Sequence, residues 1–251
     1  FATFDESHFG DISTGYVVGA TPFALQTRRL ANVEFDVVLF DEASQITLPL
    51  AIMGMLGGDK YVFIGDENQL PPVTMSFDGE EAAQASIFSY LSGRGNETML
   101  NITYRLNDVL TAWPSRTFYR SELKPSQEAS GRRLQLAGPP TRWDFVLDPK
   151  SPTVFVDLCQ RNTTVRSRRE AEMVVELVLA LLDHQIPPEE IGVVVPYRAQ
   201  SRLIRSLLRR IIGQGVTLEK LAVDTVEHMQ GQEREVVLVS FTTTSLTFGA
   251  P

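Results

Sequence analysis

The sequence predicts an α/β fold built on parallel sheet. Three observations carry that expectation. Short apolar runs such as Val37-Val38-Leu39-Phe40 and Ile191–Val195 lack polar alternation, as strands covered on both faces do. Stretches of helical character alternate with these runs, the pattern of strands joined by crossover helices. Each run ends in a polar or glycine-containing turn, and ligands gather at such carboxyl ends of strands.

Taken in order, residues 16–19 (Tyr-Val-Val-Gly) and 36–40 read as strands, 48–56 as a short helix, and 61–64 as a third strand. Residues 80–91 and 106–119 read as helical. Residues 121–150 are rich in Ser, Pro, Gly and Arg and read as connecting structure. Asp148-Pro149-Lys150-Ser151-Pro152 is the best boundary, which divides the chain into 1–150 and 151–251. The pattern then repeats. Residues 154–156 are a strand candidate. A helix over 167–182 has Ser167 as its cap and Glu170 three residues on, the spacing of a capping box. Ile191–Val195 is a buried strand stopped by Pro196. Residues 199–212 form an amphipathic helix, with Leu203, Ile204, Leu207, Leu208 and Ile211 at helical spacing. Ala222–Thr225 and Val236–Val239 are the last two strands.

Composition narrows the function classes. With 251 residues and 43% hydrophobic content, the chain can bury a core without staples. Cys159 is the single cysteine, so no internal disulfide forms, and a reducing, cytoplasmic setting is expected. No apolar run reaches the roughly 20 residues of a membrane span, so no membrane partner is expected. The net charge of −8 argues against a binder that works through overall charge. It leaves room for a local basic face, and residues 198–210 hold five arginines and no acid. A solvated helix face reads equally well.

The sharpest local feature is Asp41-Glu42 at the end of a buried strand. One carboxylate can hold Mg²⁺ through its retained waters, and the next can polarise an attacking water. An acidic pair alone is also common in surface turns. Gly65-Asp66-Glu67-Asn68-Gln69-Leu70-Pro71-Pro72 follows the next strand candidate, which would set it beside Asp41 and Glu42. Gln69 could hydrogen-bond both a phosphate oxygen and a water, and Pro71-Pro72 would stiffen a loop able to face a second ligand.

From these residues the chain resembles a known family. Asp41-Glu42-Ala43-Ser44-Gln45 looks like the Walker B motif of superfamily-1 helicases, and Gly65-Asp66 with Gln69-Leu70-Pro71-Pro72 resembles their third motif. The likeness is to the 1B branch, which includes the nonsense-mediated-decay helicase and bacterial relatives. Residues 18–25, with Thr21 and Pro22, are similar to an early backbone-contacting motif. Residues 100–106, with Tyr104 and Arg105, resemble the Tyr-Arg motif at the junction of the motor domains. Residues 195–200 resemble the Pro-Tyr motif, and residues 223–233, with Gly231 and Glu233, the fifth motif.

The resemblance implies two RecA-like domains of the P-loop NTPase type, both incomplete here: the later half of the first plus the junction over 1–150, and a truncated second over 151–251. It implies ATP and Mg²⁺ as cofactors, with Asp41 on the metal, Glu42 activating water and Gln69 sensing the γ-phosphate. Tyr104 would stack on adenine, Arg105 would reach the γ-phosphate, and Gly231 and Glu233 would lie on the nucleotide. Thr21, Pro22, Pro71, Pro72, Tyr197, Arg198, Gln200, Thr225 and His228 would face a single strand, DNA favoured over RNA, with 5′-to-3′ polarity. The chain departs from the family in two places. The Gly-rich loop ending in Lys-Ser or Lys-Thr does not occur; Lys150-Ser151 follows Asp148-Pro149 and not glycine. The sixth motif with its second arginine is also missing. The expectation is therefore a piece of a longer helicase, inactive by itself, with the remainder of the parent chain as its partner. The alternatives are a motor that remodels nucleoprotein without unwinding, a catalytically silent nucleic-acid-binding fragment, and a Mg²⁺ phosphohydrolase using Asp41 and Asp66.

Overall fold

The computed structural model describes residues 15–28, 30, 33–72, 85–213 and 216–245. The chain divides into two compact units, Phe1–Met99 and Leu100–Pro251, and each is described by itself. The expected boundary at 150/151 falls inside the second unit. The reason is packing: Leu134, Leu136, Trp143, Val146 and Leu147 belong to the same apolar core as the later strands and helices.

Among the described residues of the first unit, the first helix is the short α1 (Pro22–Leu25), whose N-terminus is capped by Thr21. Strand β1 (Val38–Phe40), helix α2 (Leu48–Met55), strand β2 (Tyr61–Phe63) and helix α3 (Ile87–Leu91) come after it. β1 and β2 pair in parallel, with Phe40 opposite Phe63. Those two rings stack at 4.7 Å, and Phe40, Ala43, Ala51 and Ile87 form the buried core. Beyond the strands the ladder continues: Ile64 N donates to Phe40 O and Ala43 N to Ile64 O, each at 2.8 Å. The carboxyl ends of β1 and β2 are thereby fastened side by side.

The second unit opens with a two-residue pairing of β3 (Ile102–Thr103) and β4 (Lys124–Pro125), between which lies helix α4 (Asp108–Phe118). Helix α5 (Gln127–Ser130), helix α6 (Arg168–Asp183), strand β5 (Ile191–Val195) and helix α7 (Arg198–Ile212) come next. Helix α8 (Val216–Lys220), strand β6 (Ala222–Thr225), helix α9 (Val226–Met229) and strand β7 (Val236–Val239) complete it. The sheet order is β6-β5-β7, all parallel. β5 is central and nearly all buried, which explains its unbroken apolar sequence. Val178, Leu181, Ile191, Val193, Val195, Ile204 and Leu208 are almost fully withdrawn from water. Each such side chain contributes roughly 1.5–3 kcal/mol.

The α/β class, the parallel pairing and most elements agree with the sequence. Two strand expectations do not. Residues 16–19 and 154–156 are irregular, and Val17 and Phe155 are 93% and 79% exposed. A strand needs a neighbour for its backbone groups, and among the described residues neither segment has one in a ladder. Of the helix expected over 80–91, residues 80–84 lie outside the described residues, and the described part starts only after Ser86, which caps it. The helix expected from residue 106 starts at Asp108, because Asn107 accepts from Leu110 N at 2.9 Å. The helix after residue 167 is capped by Ser167 as expected, but only half a capping box forms. Glu170 does not reach back to the cap; it accepts from Ser240 Oγ at 2.7 Å and Thr242 N at 2.9 Å.

Candidate active site

In the first unit the acidic pair stands at the end of β1. Asp41 and Glu42 are both exposed. Glu42 is left-handed, with φ 52° and ψ 42°, a conformation that costs a non-glycine residue about 1–2 kcal/mol. The chain turns there into a 3-10 turn, Ala43–Gln45, whose Ala43 and Ser44 are buried. Asp41 Oδ1 accepts from Glu42 N at 3.1 Å, and Gln45 Nε2 donates to Glu42 Oε2 at 3.4 Å.

The loop after β2 lies alongside. Gly65 sits so close to this turn that a Cβ would fall 2.8 Å from Ser44 N and 3.0 Å from the Phe88 ring. Only glycine lets the two loops touch. Asp66 then organises the rest of its loop: its carboxylate accepts from Asn68 N at 3.0 Å and from Gln69 Nε2 at 3.0 Å. Gln69 is thus exposed yet oriented, one step along the edge from Glu42. Pro71 is exposed and Pro72 half-buried. Thr21 Oγ1 accepts from Ala24 N at 3.2 Å, so its hydroxyl caps α1, with Pro22 as the first residue of that helix.

In the second unit, Tyr104 is 65% exposed, and Arg105 Nε donates to Glu233 Oε1 in an ion pair of two exposed side chains. Gly231, with φ +74°, makes the turn that precedes Glu233. Tyr197 occupies the N-cap position of α7 and Arg198 is its exposed first residue. Arg198, Arg202, Arg205 and Arg209 recur at spacings of four and three, which puts them on one face. Of these, Arg205 is engaged with Asp224 at 3.3 Å. His228 is exposed at the end of α9.

Two of the residues expected to face a strand are inward-facing. Gln200 is fully buried. Its Oε1 accepts from Ser167 N at 2.8 Å, and its Nε2 donates to Ser167 O and Ser240 Oγ, each at 3.0 Å. Every polar atom of that amide is spent inside the unit, tying the start of α7 to the start of α6 and the end of β7. Thr225 is likewise buried at 4% exposure. The neighbouring Glu227 carboxylate is held below its ordinary pKa, first by its own backbone N–H and next by the Thr225 hydroxyl, partly offset by burial, with His228 and Arg198 adding favourable charge. Glu227 and Arg234 were not singled out in the sequence. Arg234 Nη1 donates to Glu233 O and Nη2 to Gln232 Oε1, each at 2.6 Å.

Known proteins resemble the chain along most of its length. Two family descriptions match, each an AAA domain, one over residues 83–249 and one over residues 12–77. The chain is 32% identical over 247 residues to DNA polymerase alpha-associated DNA helicase A of Schizosaccharomyces pombe, covering 91% of this chain and 35% of that protein. It is 29% identical over 239 residues to the ATP-dependent helicase upf1 of the same yeast, covering 91% of this chain and 25% of that protein. Helicase SEN1 of Saccharomyces cerevisiae is 28% identical over 224 residues, covering 83% of this chain and 10% of that protein. The chain therefore spans about a third or less of the length of these relatives. The acidic pair beside the Gln69 loop, the Tyr104-Arg105 pair, and matches that run from residue 12 to 249 have one common explanation: the chain belongs to the superfamily-1 helicases, in the upf1-like branch.

Proposed function

We propose that this chain is the core part of an ATP-dependent helicase or translocase that moves on single-stranded nucleic acid, 5′-to-3′, with DNA preferred over RNA. The observation that carries the reading is the pairing of two loops at adjacent strand ends: Asp41 and Glu42 after β1, Asp66 and Gln69 after β2. Strand ends of a parallel sheet are where such folds place ligand chemistry. The preference for DNA draws on the DNA helicase among the similar proteins. Cys159 as the single cysteine fits a reducing, cytoplasmic setting. No helix among the described residues is long and apolar enough to cross a membrane.

Each residue has its own part in the chemistry. Glu42 takes the proton of the attacking water. Gln69, steadied by Asp66, orients that water against the phosphate. Asp41 offers one hard carboxylate at the same edge. Among the described residues no group of three acidic, His or Cys side chains is gathered that could cage a metal. A single carboxylate suits Mg²⁺, which keeps most of its waters and shares itself with substrate phosphates. When bound, the ion would neutralise phosphate charge. Tyr104 supplies an exposed ring for base stacking, and Arg105 a planar guanidinium for the transferring phosphoryl group. Pro71 and Pro72 in the first unit, and Tyr197, Arg198 and His228 in the second, are the strand-contacting residues of each. Gln200 and Thr225 support those of the second unit from within.

The test uses a longer protein that carries residues 1–251 together with a phosphate-binding loop. Phosphate release from ATP should rise several-fold when single-stranded DNA is added. Strand separation should begin from a 5′ overhang and not from a 3′ one. Turnover without unwinding on either substrate would replace helicase by translocase or nucleoprotein remodeller. Turnover indifferent to any single strand would remove nucleic acid from the account.

A further inference from the structure

We propose that Glu233 is a resident stand-in for phosphate: it holds the Arg105 guanidinium in its working orientation until a polyphosphate displaces it. The inference rests on the reading of Arg105 as the guanidinium that serves the phosphoryl group. It gives Glu233 a distinct task, as a positioning residue for Arg105.

The pair joins residues 128 positions apart in the sequence, so the fold and not local chance brings them together. Both sides of the contact are built. On the arginine side, Thr103 Oγ1 accepts from Arg105 N at 3.3 Å and Leu106 N at 3.4 Å. Asn107 fixes the start of α4 and donates from Nδ2 to Arg132 O at 3.0 Å. On the glutamate side, Gly231 sets the turn, Gln232 Nε2 donates to His228 O at 2.7 Å, and Arg234 grips the Glu233 carbonyl. The loop after α9 therefore hands one carboxylate to one guanidinium.

Carboxylate and phosphate oxygens compete for the same N–H fork. The two side chains are each 61% exposed, and an exposed pair is weak. A competing anion therefore has to overcome a preference of only about 1.5- to 5-fold. The pair is strong enough to bias the rotamer of a long side chain and weak enough to yield to several phosphate charges. With Glu233 in place, the Arg105 guanidinium is held by one carboxylate while no phosphate is present.

The experiment titrates the 251-residue chain with inorganic tripolyphosphate and reads the backbone amides of Leu106 and Gly231, together with the Arg105 Nε–H, by NMR. Tripolyphosphate should move the Arg105 Nε–H signal away from its carboxylate-bound position. Glu233→Gln should bind tripolyphosphate about 1.5- to 5-fold more tightly at these reporters. The gain should vanish in the Arg105→Ala background, and Glu235→Gln, which removes a neighbouring charge of the same sign, should show no such gain. Weaker binding by Glu233→Gln would make Glu233 a ligand and overturn the stand-in role, while Arg105 kept its own. An equal gain in the Arg105→Ala background would reduce the effect to bulk charge and overturn it as well. A silent Arg105 signal throughout would instead remove Arg105 from phosphate recognition, and with it the reading on which the inference rests.

Discussion

Glu42 shows most clearly how a single residue shapes the proposed site. Its left-handed backbone turns the chain sharply after β1, so the two carboxylates are presented at the strand end instead of running on into the ladder. Such strain persists only where the surroundings hold it, and here Gly65 is part of what holds it. Asp41, Glu42 and Gln69 were legible in the sequence as candidates because their chemistry and spacing are local. The need for glycine at position 65 was not, because it arises from Ser44 and Phe88, which approach through the fold. Gly65→Ala should overpack this contact and cost about 1–3 kcal/mol, read as a lower urea midpoint of the chain with unchanged slope. An unchanged midpoint would mean that the loops separate without cost and that their close approach is incidental.

Among the elements, α7 does two jobs with two faces. Its inward face carries Gln200, Ser201, Ile204, Leu207 and Leu208 into the core. Its outward face carries the arginines. The helix and its amphipathic period were legible, but which polar residue points inward was not. Gln200 stands within one turn of Arg198 in a stretch that resembles a strand-contacting motif, and periodicity alone does not tell a spent amide from a free one. The Ser167–Gln200–Ser240 network decides the matter, and it joins three separate segments. Leaving such buried backbone groups unpaired costs about 1–3 kcal/mol, which is reason enough for a buried glutamine. The outward face makes a separate prediction. Arg198→Ala with Arg202→Ala should weaken single-strand binding alike across sequences and lower the slope of log affinity against log salt by about 0.7 per lost phosphate contact. An unchanged slope would return both arginines to the solvated face.

For the molecule as a whole, the sequence told the α/β class and the parallel pairing, because unbroken apolar strands and amphipathic helices are patterns of composition. Where the compact units divide, at Met99/Leu100, is set by packing and not by local pattern. The loop-like stretch 134–147 has weak periodicity, yet its Trp143 and Leu147 sit against the main core. Part of what holds that stretch is His184, 4% exposed, with Nδ1 2.8 Å from Ala137 O and Nε2 2.9 Å from Asp144 Oδ1. A carbonyl and a carboxylate both accept an N–H, so this pair of partners favours the imidazolium. The Asp144 hydrogen bond, partly offset by burial, raises the His184 pKa above 6.5. The Thr141 hydroxyl, with His184 next, lowers that of Asp144 from 3.8 to about 2. The histidine's contribution is complete below pH 6.5 and fades as pH rises through its raised value. The aspartate's is complete above 3.8 and fades as pH falls towards 2. The chain should therefore melt highest between those limits, and His184→Gln should lose the alkaline fall expected of the wild type above pH 6.5. An identical alkaline limb in the variant would remove the clamp from the account. The central claim is that Glu42 is the base of an ATP-hydrolysing site, and the most direct measurement is steady-state ATP turnover beside ATP affinity for Glu42→Gln in the longer protein. Turnover should fall roughly 10²- to 10⁴-fold with ATP binding retained, whereas a drop of less than about tenfold would show that the proton goes elsewhere.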